Sequence, residues 1–167
     1  MIRNDSAMNV LDTISRRLNR WVEGSLFVMG FGMAAIVSAQ VFSRYVLNHS
    51  IYWSEELSRY LLVWLTFLGA SSAYRRGMHP GVDVLYARMP PRLRKAAAVI
   101  VHAASMLLFG VMIWYGCRFA YFVRLQISPA LSLPKWILFA VVPLSGAILM
   151  VHALVRLARD VKGRGPG

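Results

Sequence analysis

The chain has 167 residues, 57% of them hydrophobic and 16% charged, with a formal net charge of +12. A mean hydropathy of +0.52 and so low a charged share exclude an ordinary soluble domain, and the length suits one domain. The basic residues fall between long apolar blocks instead of on one soluble face, which sets aside nucleic acid as a partner and points to membrane topology.

In chain order, Leu11, Ile14, Leu18 and Trp21 recur at steps of three, four and three, opposite Asp12, Arg16 and Asn19. That spacing predicts a short amphipathic helix lying in the cytoplasmic interface; the plain alternative is a disordered basic tail. A helix rises about 1.5 Å per residue and the hydrocarbon core is about 30 Å thick, so about 20 apolar residues cross it. Four blocks meet that length, at about 21–46, 57–74, 96–117 and 136–155. Trp21, Trp53, Trp114 and Trp136 lie near their ends, as interfacial aromatic belts do. The expected fold is thus an all-α integral membrane protein with four transmembrane helices, forming one domain over residues 1–160. An interfacial helix is expected at the N-terminus and a second between spans two and three. Residues 161–167, ending in "GRGPG", read as a flexible tail.

Of the nineteen Lys and Arg residues, fourteen lie before span one, between spans two and three, or after span four; Arg44, Arg59, Arg118, Arg124 and Lys135 lie on the other side. The positive-inside rule then places both termini in the cytoplasm and the loops at 47–56 and 118–135 outside.

Span two opens with Tyr52-Trp53-Ser54-Glu55-Glu56-Leu57-Ser58-Arg59. Ser54 is expected to cap the helix, with Glu55 and Glu56 in its first turn, where the helix dipole favours negative charge. Arg59 stands three and four residues on, so either acid can pair with it on one face, and Arg44 is expected at a similar level. The bland reading is a capped, paired helix start. The functional reading is a cluster that docks a second protein or lines a polar path, since ionisable groups at a span are functional candidates. Gly69-Ala70-Ser71-Ser72-Ala73 offers a small-residue surface for close approach of another helix.

His79-Pro80-Gly81-Val82-Asp83 marks a turn after span two. As a metal site it is weak, because one His and one Asp give two ligands where a closed zinc site needs four. Cys117 has no partner for a disulfide or a CxxC site and reads as a packing residue. No constellation suggests catalysis, so no catalytic, metal or cofactor residue is assigned. One rival from another class stands beside this reading. His102 and His152, expected at matched depth near the cytoplasmic ends of spans three and four, could ligate a haem iron in a four-helix membrane anchor. Interfacial histidines bonded to headgroups or backbone are the plain alternative.

The stretch from Ser43 to Leu85, "SRYVLNHSIYWSEELSRYLLVWLTFLGASSAYRRGMHPGVDVL", resembles the small membrane subunit of TRAP transporters, the DctQ-like family. Arg44 and Tyr45 match the end of span one; Trp53, Ser54, Glu55, Glu56, Leu57 and Arg59 match the entry to span two. Leu68, Gly69 and Ala70 match its later part, and His79, Val82 and Asp83 the loop beyond. Pro129, Ala130, Leu131, Pro134 and Trp136 resemble the family's entry to span four. Pro80 departs from a more usual β-branched residue and puts only the local turn in doubt.

The resemblance implies a non-enzymatic subunit of the bacterial inner membrane. It would scaffold a large multi-span membrane subunit for ion-coupled uptake of an organic acid, C4-dicarboxylate or similar, delivered by a periplasmic substrate-binding protein. Arg44, Trp53, Glu55, Glu56, Arg59, Gly69, His79 and Asp83 are the candidate motif or subunit-interface residues.

Overall fold

The computed structural model describes residues 3–76 and 90–161, with backbone alone for helical residues 3–12, 91–92, 94–96, 98 and 158–161. The expected inter-span interfacial helix, together with His79 and Asp83, lies outside the described residues, as does the tail from 162.

Among the described residues five helices follow one another: α1 (Arg3–Tyr45), α2 (Tyr52–Arg75), α3 (Pro91–Phe122), the single turn α4 (Trp136–Phe139) and α5 (Val141–Val161). α5 is the hub of the bundle. It packs on α1, α2 and α3, while α1 packs along α2 and α4 bridges toward α2 and α3. Among the described residues three stretches are long and apolar enough to cross a membrane, Thr13–Tyr45, Val99–Phe122 and Trp136–Leu157. α2 has the length, 24 residues, but carries Glu55, Glu56 and Arg59 in its opening turns.

α1 departs from the expected separate interfacial helix. It runs unbroken for 43 residues, about 64 Å, roughly twice the hydrocarbon thickness. Neither Pro nor a turn signal lies near residue 20 to end it; the glycines of α1 come later, at 24, 30 and 32, where a helix tolerates them. The apolar stripe also faces the other way. Trp21 is 78% exposed and Ile14 is exposed, whereas Ser15, Asn19 and Val22 are buried against the bundle. Lipid rewards an apolar outer face, so packing between helices in a bilayer rests on close fit and polar contacts instead.

The core is accordingly small. Val22, Leu68, Val141 and Ile148 form one buried cluster, and Phe109, Leu149 and Ala153 form another. Ser15, Asn19, Ser71, Ser145 and His152 are buried among them. The closest helix contact joins α3 and α5. A Cβ at Gly116 would lie 2.8 Å from Cδ and 3.0 Å from the backbone N of Pro143, and one at Gly146 would lie 3.2 Å from Met112 and Ile113 side chains. The expected small-residue run is used partly inside the chain, since Ser71 and Ser72 are buried and a Cβ at Gly69 would meet Leu26 of α1 at 4.0 Å.

Candidate functional site

Polar side chains gather at two ends of the bundle. The first is the turn end, where α1 gives way to α2. Tyr45 ends α1, Asn48 takes a positive φ of 49° as Asn tolerates, and Ser43 Oγ donates to the His49 carbonyl at 2.6 Å. α2 then begins after Ile51, whose backbone is extended and whose side chain offers no cap. Ser54 does not cap the helix as expected. It sits inside the first turn, is 1% exposed, and its Oγ donates back to the Ile51 carbonyl at 2.6 Å.

The two acids that follow separate. Glu55 Oε1 accepts from Gln40 Nε2 of α1 at 3.2 Å. Glu56 reaches across to residues 74 and 75 positions later. Its Oε2 accepts the backbone N–H groups of Ala130 (2.9 Å) and Leu131 (3.1 Å), and its Oε1 accepts from the Tyr60 hydroxyl (3.0 Å). The captured segment is a tight excursion between α3 and α4. Ile127 and Pro134 bridge antiparallel, Ser128 N–H donates to the Leu133 carbonyl at 2.9 Å, and Lys135 N–H donates to the Gln126 carbonyl at 2.8 Å. Ser132 at its tip holds φ 54°. A carboxylate with two adjacent amide donors makes charge-assisted bonds, among the stronger kinds in proteins. Partial burial pushes the Glu56 carboxyl up. The Ala130 N–H, the Tyr60 and Ser128 hydroxyls and the Leu131 N–H together outweigh it and hold the carboxyl below its ordinary value.

The expected pairing of Glu55 or Glu56 with Arg59 is therefore corrected. Both acids point to other elements, and among the described residues Arg59 and Arg44 make no ion pair. The reason is competition: the loop offers Glu56 two fixed N–H groups, while an exposed i, i+3 ion pair contributes little. Arg44, Trp53, Glu55 and Arg59 remain exposed together near the turn.

The second is the Arg76 end. Glu23 of α1 accepts from Asn19 Nδ2 (2.7 Å), Ser72 Oγ (3.3 Å) and Arg76 Nε (3.2 Å), so the ion pair Arg76–Glu23 joins α1 to α2. Ser15 Oγ and His152 Nδ1 lie 2.9 Å apart in a buried hydrogen bond between α1 and α5. Arg156 Nη1 donates to the Tyr74 carbonyl at 3.1 Å, and the Tyr74 ring packs edge-on against Phe109 of α3. Sequence reasoning passed over Glu23. The available signal was an acid at the third position of the first apolar block and an Arg just past the second, since a charge within an apolar block seeks a partner.

The histidine pair does not sit as expected. Contacts of Gly110 with Met150, Ile113 with Gly146 and Gly116 with Pro143 fix an antiparallel register between α3 and α5. His152 is then level with residues 107–108, not with His102, an offset of about 8 Å along the axis. His152 Nδ1 is also engaged with Ser15 of α1. Among the described residues no three His, Cys, Asp or Glu side chains cluster as metal ligands.

Comparison with known proteins bears on what this scaffold is. The chain matches the family described as "Tripartite ATP-independent periplasmic transporters, DctQ component" over residues 33–163. It is 33% identical over 141 residues to the sialic acid TRAP transporter permease protein SiaT of Haemophilus influenzae, covering 84% of this chain and 22% of that protein. It is 28% identical over 115 residues to the isethionate TRAP transporter permease protein DctMQ of Oleidesulfovibrio alaskensis, covering 66% and 18%. The chain thus spans about a fifth of the length of those two permeases. Against the ectoine TRAP transporter small permease protein TeaB of Halomonas elongata it is 25% identical over 158 residues, covering 93% of this chain and 81% of TeaB.

Proposed function

The chain belongs to the DctQ family, the small permease component of tripartite ATP-independent periplasmic transporters, and from that premise we propose that it scaffolds a large membrane subunit for ion-coupled uptake of an organic acid. In this reading it sits in the bacterial inner membrane with four spans, α2 crossing beside the three more apolar stretches, and with both termini in the cytoplasm. A periplasmic binding protein delivers the substrate. C4-dicarboxylates are the first class to test, although relatives named for sialic acid, isethionate, ectoine and C4-dicarboxylates span carboxylates, a sulfonate and a zwitterion.

The family match over 33–163 is the observation that carries the reading. The geometry supports a scaffold. Glu56 fixes the loop after α3 to the start of α2, and this leaves Arg44, Trp53 and Arg59 exposed on a braced surface. Arg44 and Arg59, with no carboxylate partner among the described residues, are the candidates for contacts to the large subunit. His79 and Asp83 are further motif candidates.

The test is co-purification of the large subunit through a tag on this chain, together with whole-cell uptake. Combined Arg44→Ala and Arg59→Ala is expected to lower both while leaving the chain folded and inserted. Wild-type assembly and uptake in that variant would remove the docking role from these arginines. Uptake by this chain alone in proteoliposomes would overturn the scaffold reading as a whole.

A further inference from the structure

We propose that the C-terminal end of α3 holds the headgroup of an anionic phospholipid, its phosphate met by Arg118 and Arg124. This goes beyond the transporter reading and needs only that α3 lies in a bilayer. The apolar stretch of α3 ends at Phe122, so the two arginines flank the point where a membrane-crossing helix leaves hydrocarbon for headgroups.

An open groove of about 650 Å³ lies there, lined by Cys117, Arg118, Tyr121, Phe122, Arg124 and Leu125 among others. It contains two guanidinium groups and no carboxylate. Among the described residues neither arginine is in a salt bridge. The guanidinium carbon of Arg124 stands 3.6 Å from the Tyr121 ring centroid. Stacking on the ring holds the guanidinium plane while its N–H edges stay open, the arrangement that suits bidentate recognition of phosphate. Apolar surface lies beside the arginines: Tyr121, Phe122 and Leu125 are 68–83% exposed. Acyl chains can lie against those side chains while the headgroup meets the arginines, which join positive charge and apolar surface in one place. An anionic headgroup complements that charge better than a zwitterionic one, whose own cation offsets the attraction.

The C-terminal ends of α1 and α3 sharpen the point. A basic residue near an anionic bilayer surface attracts lipid in any position, but here ring stacking and the turn at 123–125 hold Arg124 in the same concavity that Arg118 lines. Arg44 is also exposed and basic at the end of a long apolar helix, and it lies outside this groove. It is the natural control.

The experiment is native mass spectrometry of the full chain released from nanodiscs containing phosphatidylglycerol or phosphatidylcholine. The wild type is expected to retain one phosphatidylglycerol and to show a clear preference over phosphatidylcholine. Arg118→Gln with Arg124→Gln should weaken that retention about thirtyfold. Arg44→Gln should leave it unchanged, and the double Lys variant should recover part of it. Should the double Gln variant fail to insert, wild-type retention must still fall steeply as salt is raised. Equal retention of the two lipids, indifference to salt, or equal loss in Arg44→Gln would overturn the proposal. So would displacement of phosphatidylglycerol whenever the large subunit co-purifies, since a protein would then be the occupant. Failure of the large subunit to co-purify bears on the transporter reading and leaves this site standing.

Discussion

The turn end and the Arg76 end each depend on one glutamate, yet the two carboxylates do different work. Glu56 binds backbone N–H groups of Ala130 and Leu131, donors that cannot swing away without moving the loop. Glu23 binds side chains, Asn19, Ser72 and Arg76, in an ion pair whose members are both partly open to solvent. A carboxylate on fixed amides locks a loop in one shape. A carboxylate on a guanidinium ties two helices through long, adjustable arms, and salt screens it more. The first suits a surface that must keep its form; the second suits a joint at the end of α2.

The largest effect that tests this contrast lies in packing toward the turn end. Gly116→Ala drives a methyl into the ring and backbone nitrogen of Pro143, at 2.8 and 3.0 Å. Backbone cannot rotate aside as a side chain can, so the α3–α5 seam must open, with a loss of about 3 kcal/mol. Thermal unfolding of the purified chain should show it. Gly146→Ala, which meets Met112 and Ile113 side chains at 3.2 Å, should be milder. Equal and small effects would mean the seam at the turn end is as pliable as the rest.

A middle-sized effect belongs to the Arg76 end. Ser15→Ala removes the partner of His152 Nδ1 in a site where His152 is 2% exposed. Interhelical hydrogen bonds in bilayers contribute about 0.6 kcal/mol on average and up to about 1.7 kcal/mol. A loss of about 1 kcal/mol is expected by the same assay, and Ser15→Thr should retain part of the stability. No loss in Ser15→Ala would show that the α1–α5 seam rests on shape alone.

The smallest effect on global stability, and the most direct comparison, sets Glu56→Ala against Arg76→Ala. Glu56→Ala should leave the helices intact but speed hydrogen exchange at the Ala130 and Leu131 amides, with little dependence on salt. Arg76→Ala should loosen the α1–α2 joint only at low salt. The pH response of the loop follows from the lowered Glu56 carboxyl. Its contribution is fully present above the ordinary carboxylate range and is lost as pH falls through the lowered folded value. Protection of the two amides should therefore persist through mild acid and fail only below the range of a free glutamate. Loss of protection near neutrality would show that Glu56 does not hold the loop.

Much of the architecture was legible in the residues. The apolar blocks became helices near their expected places, because about 20 consecutive apolar residues with few breakers leave a helix as the one way to satisfy the backbone in lipid. The run from Trp53 to Arg59 was rightly marked as chemically loaded, but its pairing was misjudged. Spacing of three and four residues reports only which side chains share a helix face, and it ranked Arg59 above a loop more than seventy residues away. The length of α1 was misjudged for a related reason: an amphipathic stripe at Leu11 to Trp21 looks the same whether the helix ends at residue 20 or continues.

The sequence by itself determined the class, a helical membrane protein, and the family, because hydropathy is a property of each residue and a motif is a property of neighbours in the chain. The tertiary structure alone decided that Ser15 and Asn19 face inward while Trp21 faces out, that Glu23 meets Arg76, and that Glu56 closes on Ala130 and Leu131. Those choices rest on which helix faces come within about 3 Å of each other. A bilayer makes most apolar faces equivalent, so only the fit between helices, at places such as Gly116 against Pro143, selects among them.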